Sequence, residues 1–168
     1  MASAEAAKRL GPLICNQINT MGLDNLPQRC GCRRHPPGPD RQDDGITHNP
    51  DEPCPFEKDN FPKGNGTCCS LRGKVAAYHL EALGDTTLFW RMYTDMTADE
   101  AEGFSKELRT AANRFERDHS GKTGRLAKSV GFEYYDGWTF EDAIFAVRQA
   151  ARWYEKVANL GFGVRAWY

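Results

Sequence analysis

The stretch from Cys30 to Cys69 places the strongest constraint on how this chain can fold. It holds five of the six cysteines, two of the four histidines and most of the prolines. Its only large apolar side chains are Ile46, Phe56 and Phe61. Because so little apolar surface can be buried, such a segment does not offset its own conformational entropy. The clustered thiols therefore predict that sulfur supplies the missing order, through a metal ion or through disulfides.

The chain as a whole has the composition of an ordinary folded domain. It has 168 residues, of which 40% are hydrophobic and 27% are charged, enough for one domain with a core. We therefore expect a single domain over residues 1–168, with a Cys/Pro-rich metal-binding loop at 27–69. The formal net charge of -1 argues against a strongly basic nucleic-acid binder and against an acidic DNA mimic.

The first residues predict a cytoplasmic protein. Glu5, Lys8 and Arg9 interrupt the apolar run that a signal peptide would need. No window approaches the roughly 18 consecutive apolar residues of a membrane helix, so no membrane partner is expected. Stable disulfides are uncommon in a reducing compartment, and six cysteines there favour metal ligation. Export by a non-classical route would reopen the disulfide interpretation.

The candidate metal ligands share one property, a soft or borderline donor atom in or beside the cysteine-rich stretch. They are Cys30, Cys32, Cys54, Cys68, Cys69 and His35. Zinc takes four such donors at the corners of a tetrahedron, and a long loop can deliver them from irregular spacings. Adjacent cysteines point apart in extended chain, so one of the last two is expected to bind a given ion. Zinc is the predicted cofactor, and an iron–sulfur cluster, which also takes four thiolates, is the alternative.

Hydrophobic periodicity predicts a mainly α fold, a small helical domain of about four helices with the cysteine-rich loop inserted after the first helix. The predicted helices cover residues 3–21, 70–83, 97–117 and 140–160. The last has the widest apolar face, which indicates a central helix with neighbours on two sides. The apolar run at 87–93 fits either a continuing helix or an extended connector.

Local signals mark where these helices begin and end. Thr97 followed by Glu100 is a capping-box pattern, and Thr139 also precedes acids in a first helical turn. Gly84 and Gly161 are suitable C-terminal stops. A helix that begins at Ser70 would place the last two cysteines at its N-terminus, where the helix dipole stabilises a thiolate.

Two groups of basic side chains are candidate functional features beyond the thiols. Arginines surround the first cysteines and define a weak nucleic-acid-binding hypothesis: Arg29, Arg33, Arg34 and Arg41. Several acids follow closely and cancel much of their field, which favours a solvated loop of mixed charge. Arg148, Arg152 and Lys156 recur at four-residue spacing and are interpreted as a solvent-exposed helix face.

No catalytic pattern stands out in the sequence. The triplet at residues 121–123 lacks the upstream glycine and strand of a phosphate-binding loop. We therefore expect a small, intracellular, zinc-type interaction protein that is not an enzyme. Its cysteine-rich loop would bind a protein or nucleic-acid partner, with a protein favoured. The alternatives from other classes are an iron–sulfur or redox protein and a nucleic-acid-binding module.

Overall fold

The computed structural model describes residues 23–27, 54–56, 58–62, 69–120 and 138–167. Within these ranges the chain forms four helices and two strands. The helices are α1 (Gly73–Ala82), α2 (Thr86–Arg91), α3 (Ala98–His119) and α4 (Phe140–Asn159), and the strands are β1 (Asp24–Pro27) and β2 (Val164–Trp167). The described part is mainly helical, which confirms the helical fold class. The first predicted helix, at 3–21, lies outside the described residues.

Both long helices begin at the predicted caps. The Thr97 hydroxyl accepts the Glu100 N–H at 3.3 Å, and the Glu100 carboxylate accepts the Thr97 N–H at 2.8 Å. At α4 the reciprocal bonds between Thr139 and Asp142 are 3.2 and 2.8 Å long. These backbone hydrogen bonds lower the pKa of the Glu100 and Asp142 carboxyls below their ordinary values. Each capping box satisfies helix N–H groups that have no partner inside the helix.

The predicted glycine stops are also confirmed. Gly84 and Gly161 have φ angles of +86° and +72°, in the left-handed region that glycine adopts without strain. After α1 the Asp85 N–H bonds back to the Leu80 carbonyl at 2.8 Å. After α4 the equivalent bond, from the Phe162 N–H to the Val157 carbonyl, is 3.1 Å long. Both helices thus end in the six-to-one hydrogen bond of a Schellman motif.

The start of α1 corrects one sequence prediction. The helix begins at Gly73 rather than Ser70, because Leu71 is extended and its backbone pairs with Asn25. Cys69 therefore lies four positions before the helix, at a bend of the chain and outside the first helical turn, so the expected stabilisation of its thiolate by the helix dipole does not apply. The apolar run at 87–93 continues as helix: α2 is capped by Asp85, whose carboxylate accepts the Leu88 N–H at 3.1 Å.

The core lies between α4 and its neighbours. Helix α4 makes its most extensive contact with α3 and a second contact with α1, which agrees with the width of its apolar face. Trp153 and Tyr154 of α4 are fully buried, and the Tyr154 ring meets Phe104 of α3 edge to face, with centroids 4.8 Å apart. Edge-to-face packing is a favoured arrangement of two aromatic rings.

The C-terminal segment docks on the core through a strand that the sequence analysis did not predict. Strand β2 pairs antiparallel with β1, and Pro27 stands opposite Val164. The Val164 N–H and carbonyl face away from the proline and bond to Met96 at 2.7 and 2.8 Å. Proline has no N–H to donate to a neighbouring strand, so it fits at a position where the two paired residues share no hydrogen bond.

The hydroxyl of Tyr154 yields a stability prediction. The residue is fully buried, and among the described residues nothing hydrogen-bonds its Oη atom. Burial raises the pKa of this phenol, so the group is neutral. Because an unsatisfied buried hydroxyl costs about 1–3 kcal/mol, we expect Tyr154→Phe to raise the free energy of unfolding by about 1 kcal/mol. Urea denaturation with an unchanged m-value would establish this, and a loss of stability would show that the hydroxyl is satisfied.

Candidate functional site

The two ends of the cysteine-rich stretch are joined by backbone hydrogen bonds. Asn25 and Leu71 exchange two bonds of 2.9 Å each, between N–H and carbonyl in both directions. A third bond, 2.6 Å long, runs from the Arg72 N–H to the carbonyl of Pro62. The residues that flank the stretch therefore lie side by side, joined by hydrogen bonds of the backbone.

Aromatic burial anchors the described middle part of the stretch. Phe56 is fully buried and packs against Trp153 of α4, with ring centroids 6.3 Å apart. Phe61 is partly buried against the same core. Two of the three large apolar side chains in the stretch thus contribute to the core of the helical scaffold, which supplies the apolar surface that the stretch lacks.

Lys156 forms a second anchor beside the first. Its Nζ donates to the carbonyl of Pro55 at 2.6 Å and also pairs with the Asp59 carboxylate. The same ammonium lies over the Phe56 ring, 5.3 Å from the centroid. The interpretation of Lys156 as part of a solvent-exposed helix face is therefore wrong, because a carbonyl and a carboxylate from the stretch occupy its donors.

Two of the predicted metal ligands can be placed, and they come from distant points of the stretch. Cys54 is a half-buried free thiol packed against the core, and Cys69 is 2% exposed within it. The indole N–H of Trp153 donates to the Cys69 carbonyl at 2.9 Å. Trp153 thus contacts both the segment that follows Cys54 and the backbone of Cys69. We use the name loop base for Cys54 and Cys69 together with Trp153 and the two anchors, Phe56 and Lys156.

The other predicted ligands cannot be placed in this way. Cys30, Cys32, Cys68 and His35 lie outside the described residues, as do Arg29, Arg33, Arg34 and Arg41. Over residues 23–27, 54–62 without 57, 69–120 and 138–167, no three His, Cys, Asp or Glu side chains form a group that could hold a metal ion. A complete metal site therefore requires donors from beyond these ranges.

His79 is buried where α1 packs near the start of α4. The side chain is 3% exposed, and its ring contacts that of Trp138 with centroids 4.3 Å apart. Burial lowers the pKa of His79 to about 4, although the nearby Asp142 carboxylate opposes this shift. The imidazole is therefore neutral at pH 7 and packs as part of the core.

This burial predicts a pH dependence of stability. The unfolded chain takes up a proton on His79 near pH 6.5, whereas the folded protein does so only near pH 4. Stability should therefore fall as the pH falls from 6.5 to 4, by about 3 kcal/mol at about 1.4 kcal/mol per pKa unit. Urea denaturation across this range should show a shallower slope for His79→Gln. Equal slopes would mean that other groups cause the pH dependence.

Comparison with protein-family models, curated proteins and solved structures finds no match to the chain. Among the described helices, none combines the length and the apolar character needed to cross a membrane.

Proposed function

We propose that the chain is a small, intracellular, non-enzymatic interaction protein in which a zinc-type ion orders the cysteine-rich stretch. The helical scaffold carries the stretch at the loop base, and the ordered stretch presents a binding surface to a protein partner. A metal ion bound by several thiolates would supply order to the residues between the anchors, where almost no large apolar side chain is available.

The observation that supports this proposal is the placement of Cys54 and Cys69. They are 15 positions apart in sequence, yet both pack against the core. Phe56, two positions after Cys54, contacts Trp153, and the Cys69 carbonyl accepts the Trp153 indole N–H. Two thiols held by the rigid scaffold would give a metal site fixed donors, and the remaining donors would come from Cys30, Cys32, Cys68 or His35. Fixed ligands reduce the conformational entropy that is lost when an ion binds.

Elemental analysis of the purified protein tests the proposal. We expect about one zinc ion per chain, as for a closed four-ligand site. Cys54→Ser should abolish zinc retention on gel filtration, whereas Cys15→Ala, which removes the one cysteine outside the stretch 30–69, should leave the zinc content unchanged. Protein without zinc or iron, and with its thiols reduced, would refute the proposal.

Two other results would replace zinc by an alternative. Visible absorbance and bound iron after anaerobic purification would identify an iron–sulfur protein. Loss of titratable thiols without any metal would identify disulfides. Ultraviolet–visible spectra and a thiol titration of the denatured protein separate these cases from a colourless zinc protein.

A further inference from the structure

The surface between α3 and α4 contains a pocket lined by arginine. Its lining residues are Arg109 and Asn113 of α3 and Arg148 and Arg152 of α4, and its volume is about 250 Å³. Each pair is four residues apart and lies on one helix face. The volume is below the roughly 300–1,000 Å³ of clefts that hold drug-sized ligands, which suits a single chemical group. We call these four residues the arginine pocket.

Two of the three guanidinium groups are held in place by carboxylates. Arg148 donates from both terminal nitrogens to the Glu116 carboxylate, at 3.1 and 2.7 Å, and also to the Asn113 side-chain oxygen at 3.2 Å. Arg109 pairs with Glu155 of α4. Exposed ion pairs contribute little to stability, but bidentate geometry does fix the direction in which a guanidinium points.

The third guanidinium, that of Arg152, is exposed and makes no ion pair within the described part of the chain. A guanidinium carries five N–H donors, and the described residues occupy one on Arg109 and none on Arg152. The pocket therefore offers more N–H groups than the two oxygens of one carboxylate can accept. A tetrahedral oxyanion with three exposed oxygens makes better use of this arrangement.

We propose that the arginine pocket binds the phosphate monoester of a phosphorylated side chain in a partner protein. Clustered arginines are a recurring means of recognising such groups, because their planar forks match phosphate oxygens. One helical turn before Arg148, Phe145 is 62% exposed and offers an apolar contact beside the charge. Exposed aromatic and arginine side chains together are typical of protein interfaces.

The charges around the pocket favour a single phosphate over a nucleic-acid backbone. Binding a polyanion requires several cations along its path. Here the same two helices also expose Glu102, Glu107 and Glu141, and Glu116 and Glu155 compensate two of the three arginines. Of the other basic side chains exposed on these helices, Lys106 pairs with Glu102 and Arg114 pairs with Asp85. The site contains no cysteine, so its test does not depend on the metal content of the protein.

The experiment is a titration of the full chain with N-acetyl-O-phosphoserine amide, followed by NMR of the arginine side-chain N–H groups. We expect saturable shifts with a Kd on the order of 1 mM, as for a few charge-assisted hydrogen bonds at an exposed site. Arg152→Gln should weaken binding about tenfold, and Arg152→Lys should restore part of it. Arg117→Gln is the matched control, because it removes the same charge from an exposed position of α3 outside the pocket.

Four results would overturn the proposal. The first is the absence of saturable shifts, and the second is equal weakening by Arg152→Gln and Arg117→Gln, which would indicate unspecific attraction. The third is binding of N-acetylglutamate amide as tight as that of the phosphoserine compound, which would reduce the site to a general carboxylate contact. The fourth is tighter binding of a single-stranded oligothymidine that depends on Arg152, which would make the surface a nucleic-acid site.

Discussion

Replacing Phe56 by alanine is expected to lower the free energy of unfolding by about 3–5 kcal/mol, the usual cost of removing a fully buried phenylalanine. The ring is 0% exposed and packs against Trp153 on one side, while the Lys156 ammonium lies over it. The substitution removes these contacts and leaves a cavity that the helical scaffold, held by its other packing, fills only in part. Denaturation in urea, monitored by circular dichroism, measures the loss.

Phe145→Ala is the matched control for this substitution. It makes the same chemical change at a side chain that is 62% exposed, so a change within about 0.5 kcal/mol is expected. Phe56→Ala should also speed the reaction of Cys54, two positions away, with a thiol reagent, because local opening exposes that thiol. If the two variants were equally stable, the aromatic anchor would make no measurable contribution to stability.

Gly73→Ala is expected to destabilise the protein by about 4 kcal/mol, through overpacking and the loss of a buried hydrogen bond. A Cβ atom at Gly73 would lie 1.8 Å from the side-chain oxygen of Asn25, which is far inside contact distance. Asn25 cannot simply rotate away: its Nδ2 donates to the Met92 carbonyl at 2.9 Å, and its backbone pairs with Leu71. The start of α1 therefore packs so closely against β1 and the end of α2 that no side chain fits at position 73.

Two further variants separate this clash from a general effect of alanine. Gly103→Ala, inside α3 and with open space around its Cβ position, should raise stability by about 0.5–1 kcal/mol. The double variant Gly73→Ala plus Asn25→Ala should be more stable than the sum of the single losses predicts, because the second substitution removes the clashing atom. Strict additivity in this cycle would contradict the steric explanation.

The parts of the fold that the sequence predicts are those encoded by neighbouring residues. Thr97 and Glu100 are three positions apart, and their mutual hydrogen bonds need nothing from the rest of the chain. The same holds for Thr139 with Asp142 and for the glycines that end α1 and α4. The starts of α3 and α4 and the ends of α1 and α4 were predictable because they depend on local geometry.

The parts that the sequence does not predict depend on distant partners. Strand β1 has the sequence Asp-Asn-Leu-Pro, with no alternation of apolar residues and with a proline, and it forms because β2 lies beside it. The start of α1 shifts to Gly73 because Leu71 pairs with Asn25, 46 positions earlier in the chain. Pairing at such separation leaves no local signal.

The loop base was predictable only in its residue types. Cys54 and Cys69 stood out as thiols, but nothing in their spacing showed that both pack against the core of the helical scaffold. Lys156 appeared to belong to an exposed helix face because its turn on α4 is rich in charge. Its position instead depends on Pro55 and Asp59, which lie about one hundred positions earlier. The arginine pocket likewise requires residues from two helices.

The backbone pairing of Asn25 with Leu71 has a consequence for how such a protein could change over evolution. Because these two residues are adjacent in space, residues could be inserted or deleted between them at a modest entropic cost. This cost is about 0.6 kcal/mol for each doubling of the length of the loop. Outside residues 54–62, the cysteine-rich stretch is in this sense a replaceable segment on the helical frame. A chimera in which glycine-rich linkers replace residues 28–53 and 63–68, while 54–62 is kept, should retain the helical fold and could accept foreign recognition sequences.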